Sequence, residues 1–334
     1  CKSVIVTKNG KNIYPEELEY YLNDNPLIEE SMVIGVYNET EKDISHLLDS
    51  ISIQQNIDFN EIGVIICNDG SDILLSDDFL KSYQFDIQYF KESHKGVSAT
   101  RNFLLDKTNA EYVMFCDADD MFYNACGLWI LFREFDCGDF DTLFSVFIEE
   151  TRDIDGNVIY ITHDFDNTFV HGKIHRRQYL IDNNIRFNDS LTIHEDSYFT
   201  LLAQNCTDSS KVKYCPTPFY LWKWRDNSVC RHDSKYILKT YTNMIDSNNA
   251  LIDEFIKREM FEIANVYVGV MIFDTYYTFN KVDWVNQDNK EYRDKTERRF
   301  SEYYKNRKEM WEKLSIDEKM QLSNSIRQRS VMEG

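Results

Sequence analysis

Residues 112–120 read Y-V-M-F-C-D-A-D-D, an apolar run that ends in three acids within four positions. The unbroken apolar character predicts a strand buried on both faces, ending at Asp117. The same grammar recurs upstream. Residues 31–36 (S-M-V-I-G-V) predict a buried strand that stops at Tyr37-Asn38-Glu39-Thr40. Residues 62–67 (I-G-V-I-I-C) predict another that stops at Asn68-Asp69-Gly70-Ser71, and residues 86–90 a short third one. Helices lie between them. Thr40 and Asp43 have the spacing of a capping box, and Ile44, Leu47, Leu48 and Ile51 follow at helical intervals. Val97, Thr100, Leu104 and Leu105 mark a second helix. Strands alternating with helices, apolar on both strand faces, predict an α/β fold with a mainly parallel sheet and flanking helices. Open sheets of this kind bind ligands beyond the carboxyl ends of their strands. Asn38, Asp69 and the Asp117/Asp119 pair all fall there.

Downstream, Thr142–Ile148 predicts a strand, and Asp155-Gly156 a hairpin turn into Val158–Ile161. From Tyr236 the pattern turns helical, with Ile237, Tyr241, Met244, Ile245, Leu251, Ile252 and Phe255 on one stripe, which is the pattern of core packing. Residues 285–334 are charged and predict one or two surface helices or a frayed tail. The chain divides into a hairpin–helix appendage at 1–30, an α/β domain at 31–235 and a helical region at 236–334.

The charge is strongly one-sided: 37 Lys and Arg stand against 57 Asp and Glu, a net of −20. A non-specific nucleic-acid binder needs a basic surface to displace phosphate counterions, so this class is set aside. Residues 285–334 are nearly balanced, with 12 basic and 10 acidic side chains, so the acidity belongs to the body. Arg298, Arg299, Arg307 and Lys308 in that tail could meet an anionic membrane surface, although a solvated helix explains them more simply. With only 11 Gly and 4 Pro against 43% hydrophobic residues, the chain is neither low-complexity nor disordered. None of the eight cysteines forms a C-x-x-C pair, which fits buried thiols in a reducing compartment. No signal peptide or spanning segment is legible, so a cytoplasmic location is expected, soluble or peripheral at the inner face of the membrane.

The D-x-D at Asp117 and Asp119 can present oxygens to one hard divalent cation, Mg²⁺ or Mn²⁺. Such an ion leaves positions open for a diphosphate and neutralises its charge. An acidic body would otherwise repel that anion, so the net charge itself argues for a cation here.

These pieces together resemble a family-2 glycosyltransferase of the GT-A fold over residues 32–228. The matching stretches are V-I-G-V-Y-N-E (33–39), I-I-C-N-D-G-S-D (65–72), H-K-G-V-S-A-T-R-N (94–102) and M-F-C-D-A-D-D (114–120). They continue with H-G-K-I-H-R-R (171–177), I-R-F-N (185–188), H-E-D-S-Y-F (194–199) and F-Y-L-W-K-W-R-D-N-S (219–228). Val36 departs from the Pro or small polar residue usual before Tyr-Asn. The resemblance implies an inverting, metal-dependent transfer from a nucleotide-diphosphate sugar, a UDP-sugar first among them. The acceptor would be a glycan, a lipid-linked sugar or a protein hydroxyl in surface glycan or polysaccharide synthesis. Val36, Tyr37 and Asn38 would line the nucleotide pocket, Asp69 would contact the base, and Arg101 would lie near the phosphates. Asp117 would hold the ribose and share the metal with Asp119, the main ligand. Asp196, paired with Glu195, would be the general base. Lys173 and Arg225 would be cations near the acceptor or the leaving diphosphate. Single displacement needs a base on one face of the sugar and a stabilised leaving group on the other, which two separate acidic clusters can supply.

Two other readings compete. A nucleotidyltransferase shares the sheet and the paired acids but needs a Gly-rich phosphate loop near the first strand, and none is present. A non-catalytic degenerate transferase or binding module would bind no nucleotide sugar with Mn²⁺. Separately, residues 2–34 resemble part of the C-terminal subdomain of acyl-adenylating enzymes. Two strands would turn at Asn9-Gly10, and Pro15 would open a helix. The stretch contains neither the large adenylate-binding domain nor the late catalytic lysine, so no adenylation activity is expected of it.

Overall fold

The computed structural model describes residues 5–6, 12–13, 30–136, 138–153, 155–164, 166–225 and 235–332. Contacts divide the chain into two compact units: Cys1–Phe187 with Cys206–Trp224, and Asn188–Asn205 with Arg225–Gly334. Residues 188–205 group with the helical unit.

In the first unit a small hairpin pairs β1 (Ile5–Val6) with β2 (Asn12–Ile13), antiparallel. The helix expected at Pro15 lies outside the described residues. The main sheet begins with β3 (Glu30–Val36), followed by α1 (Glu41–Ser52), β4 (Ile62–Asp69) and β5 (Asp86–Glu92). Next come α2 (Val97–Lys107), β6 (Tyr112–Asp117), β7 (Met121–Phe122) and α3 (Gly127–Asp136). The unit closes with β8 (Thr142–Arg152), β9 (Val158–His163), β10 (Lys173–Arg176) and β11 (Val212–Trp222). Strand order is β5-β4-β3-β6-β10-β8-β11-β7, with β9 paired to β8. From β5 to β6 every pair is parallel. Beyond β6 the sheet is mixed: β10 runs antiparallel to both β6 and β8, whereas β11 runs parallel to β8.

Local chemistry explains these elements. Thr40 caps α1 in a reciprocal box, with Asp43 Oδ2 accepting the Thr40 N–H at 2.8 Å. Ile44, Leu47, Leu48 and Ile51 of α1 are fully buried in one cluster with Met32, Ile34, Val64, Ile66 and Met114. The alternate residues Val33, Ile65, Val113 and Phe115 are buried as well, so the central strands are apolar on both faces, as their sequence requires. Each such side chain contributes about 1.5–3 kcal/mol of burial.

The second unit is helical: α4 (Glu195–Asn205), α5 (Tyr236–Lys257), α6 (Phe261–Thr278), α7 (Lys290–Lys313) and α8 (Ile316–Met332). The tail is two helices, and its cations are internally engaged. Arg307 is buried and donates to Asn249 Oδ1 at 2.8 Å and Asp253 Oδ1 at 2.5 Å. Arg299 pairs with Asp246, and Lys308 with Glu312. No described helix is long and apolar enough to cross a membrane.

Candidate functional site

The carboxyl ends of β3, β4 and β6 meet side by side, with Gly35 in register with both Cys67 and Asp117. Val36 is buried as β3 ends. Tyr37 is exposed, and Asn38 takes a left-handed turn at φ 66°. The Tyr37 ring lies 4.5 Å from the ring of His94.

At the end of β4, Asn68 braces the N-D-G-S turn. Its amide donates to the Ile73 carbonyl at 2.9 Å and its oxygen accepts the Ser71 N–H at 2.7 Å. Asp69 is buried, and its two oxygens accept the backbone N–H groups of Lys95 (2.8 Å) and Gly96 (2.9 Å). His94 Nδ1 adds a contact at 3.0 Å. Asp69 therefore stations the loop that enters α2. Gly70 is required at this crossing, because its φ is +80° and a Cβ there would meet the His94 nitrogen at 2.4 Å.

Arg101 on α2 is buried, donates to Asp117 Oδ1 at 2.9 Å and lies 5.2 Å over the Phe187 ring. Asn102 fixes that ring: its amide donates to the Phe187 carbonyl and its oxygen accepts the Phe187 N–H, both at 2.9 Å. The A-T-R-N and I-R-F-N stretches thus form one structural unit. In H-G-K-I-H-R-R, Arg176 is likewise structural, donating to Tyr112 Oη at 2.9 Å and Asp139 Oδ1 at 3.1 Å.

The acidic turn closes with the Asp120 N–H donating to the Asp117 carbonyl at 3.2 Å. Asp117 and Asp119 are half-buried, whereas Asp120 is fully buried. Burial, then repulsion from Asp117 and Asp119, pushes the Asp120 carboxyl well above the usual carboxylate range. Donor atoms of Asp117, Asp120 and the buried His171 lie within 4.8 Å of one another. Carboxylate oxygens with one imidazole suit a hard or borderline divalent ion, so the residues fit the cation expected at this turn. Sequence reading missed Asp120, since a D-x-D pattern assigns its fourth position no role. The signal was there in the third acid, set directly before the apolar Met121-Phe122.

Lys173, expected near the acceptor or the leaving diphosphate, is enclosed. It is fully buried on β10, its Nζ donating to the His171 carbonyl at 3.2 Å, 3.9 Å from Asp166 Oδ1 and 5.4 Å from the Phe147 ring centroid. Its neighbour His175 is also fully buried, and burial, helped by the Lys173 charge, lowers its pKa to about 3.

Glu195, Asp196 and Arg225 belong to the second unit. Both acids occupy the first turn of α4, where the helix dipole favours negative charge. His194 precedes them at φ 64°, its carbonyl accepting from Ser247 Oγ at 2.8 Å. Burial lowers the His194 pKa, opposed by Asp196. Arg225 is half-buried.

A family comparison bears on part of the first unit. Residues 31–128 match the glycosyl transferase family 2 model. The minor teichoic acid biosynthesis protein GgaB of Bacillus subtilis is 25% identical over 282 residues, covering 76% of this chain and 29% of that protein. An uncharacterized glycosyltransferase of Rickettsia bellii is 34% identical over 107 residues, covering 31% of this chain and 15% of that protein. The chain thus spans less than a third of either relative. Among solved structures, Staphylococcus aureus TarS 1–349 superposes with a TM-score of 0.60 at 16% identity, covering 90% of this chain and 92% of that one. The fold is GT-A-like: a mixed sheet with flanking helices, followed by a helical region.

Proposed function

We propose that this chain is a glycosyltransferase that moves a sugar from a nucleotide-diphosphate sugar to a hydroxyl acceptor in surface glycan synthesis, with inversion. The observation that carries this reading is the acidic turn at the end of β6, set beside the ends of β3 and β4 within the segment that matches family 2. The relative named for teichoic acid biosynthesis supports a surface-glycan role.

Val36, Tyr37 and Asn38 line the nucleotide side, with Asp69 beside them. The carboxylates of Asp117 and Asp119 hold a divalent cation, and Arg101 orients Asp117. When bound, that ion neutralises the diphosphate and eases its departure. Asp196, with Glu195, takes the proton of the acceptor hydroxyl. The acceptor oxygen then bonds to the anomeric carbon as the carbon–oxygen bond to the diphosphate breaks, releasing a nucleoside diphosphate. A UDP-sugar is the first donor to test. The assay is nucleoside-diphosphate release on a donor panel with a glycan acceptor. Wild type turns over one donor, and Asp119→Ala and Asp196→Ala stay folded with release abolished. Full activity in either variant refutes the site.

A further inference from the structure

Asp120 has a donor atom close to those of Asp117 and His171, and it is the most enclosed acid of the turn, with both of its oxygens already engaged. Tyr220 Oη donates to its Oδ2 at 2.7 Å, and the Lys223 N–H donates to its Oδ1 at 2.9 Å. The same phenol oxygen accepts the Asp117 N–H at 3.0 Å. Asp120 and Tyr220 are both fully buried. A phenol has one proton to give, so donating to Asp120 while accepting from Asp117 fixes its orientation. One buried pair therefore pins both ends of the turn to the end of β11, about a hundred residues further along the chain.

A carboxylate buried among acids is a costly way to hold a turn. What Asp120 supplies is direction, through two acceptor oxygens aimed at two separate partners. The side chain between the pinned ends that reaches solvent is Asp119, since Ala118 is buried. We infer that Asp120 and Tyr220 are positioning residues, which set the backbone of the turn so that Asp117 and Asp119 meet a divalent cation in a fixed geometry. The inference rests on the cation reading given above. Hard divalent ions tolerate little error in oxygen placement, and removing such outer partners weakens metal binding about 10–100-fold.

The test is a Mn²⁺ titration of the full chain, with free ion read by electron paramagnetic resonance, alongside amide hydrogen exchange over residues 117–123. Tyr220→Phe removes the hydroxyl and leaves every candidate ligand in place. It is expected to weaken Mn²⁺ affinity about tenfold or more and to speed exchange at the Asp117 amide. If Tyr220→Phe does not fold, wild-type exchange decides: the Asp117 amide is expected to be protected before Mn²⁺ is added, and protection that arises only with Mn²⁺ overturns the inference. A purely structural pair would lower the melting temperature and leave Mn²⁺ affinity unchanged, which overturns the inference, as does a wild type that binds no Mn²⁺. The transferase reading is judged apart, by wild-type nucleoside-diphosphate release.

Discussion

His175 offers a prediction whose size follows from its surroundings. The side chain is fully buried on β10, between β6 and β8, with Nδ1 2.6 Å from Thr142 Oγ1 and the buried Lys173 two residues away. Burial and that charge hold its pKa at about 3, against 6.5 for an ordinary histidine. The folded state therefore keeps a neutral imidazole where the unfolded chain binds a proton. The stability is fully present above pH 6.5 and drains away as pH falls from 6.5 towards 3. Between pH 7 and pH 4.5 the loss from this one group is about 2–3 kcal/mol. Other groups titrate over the same window, so the comparison is with His175→Gln, which removes only this one. Urea unfolding of both proteins at pH 7 and 4.5 gives the double difference. Acidification should cost wild type about 2–3 kcal/mol more than it costs the variant. An equal loss in both would refute the placement of a neutral imidazole in this core.

Further outcomes follow from the same geometry. Lys173→Met should change the donor KM less than threefold, because the ammonium is enclosed, while leaving the His171 carbonyl short of a donor at about 1–3 kcal/mol; a hundredfold loss of kcat/KM would return Lys173 to the diphosphate. Gly70→Ala should destabilise the first unit by about 1–3 kcal/mol and weaken nucleotide binding, since a Cβ would press on the loop that Asp69 holds, as melting and calorimetric titration would report. Asn102→Ala removes both bonds to Phe187 and should lower stability by about 1–3 kcal/mol, with raised hydrogen exchange at the Phe187 amide.

Local patterns carried the first half of the sheet. The apolar runs of β3, β4 and β6 and the Thr40–Asp43 capping box are near-neighbour features, and they were legible; the turn expected at Asn9-Gly10 lies outside the described residues. The second half was harder, because β10 inserts between β6 and β8 by pairing with strands distant in sequence, and no local period encodes that. The same insertion encloses Lys173. Its charge predicts exposure, and only the flanking strands and the two phenylalanine rings beside it reverse that expectation. Asp119 and Asp117 stood out by spacing, whereas Asp120 is defined by its link to Tyr220, which no motif reports. Glu195 and Asp196 lie in the first turn of α4, and their membership of the helical unit depends on packing that their own residues do not announce.

On the proposed reading, the ends of β3, β4 and β6 receive a nucleotide-diphosphate sugar together with a divalent cation. The most direct measurement is the melting temperature of the full chain against a panel of nucleotide sugars, with Mn²⁺ or with chelator. Ligand that binds only the folded state raises the transition by mass action. The account predicts that one nucleotide sugar raises the melting temperature with Mn²⁺, and that the rise disappears with chelator and in Asp119→Ala. A panel with no shift, or a shift that persists unchanged in chelator and in Asp119→Ala, would contradict it.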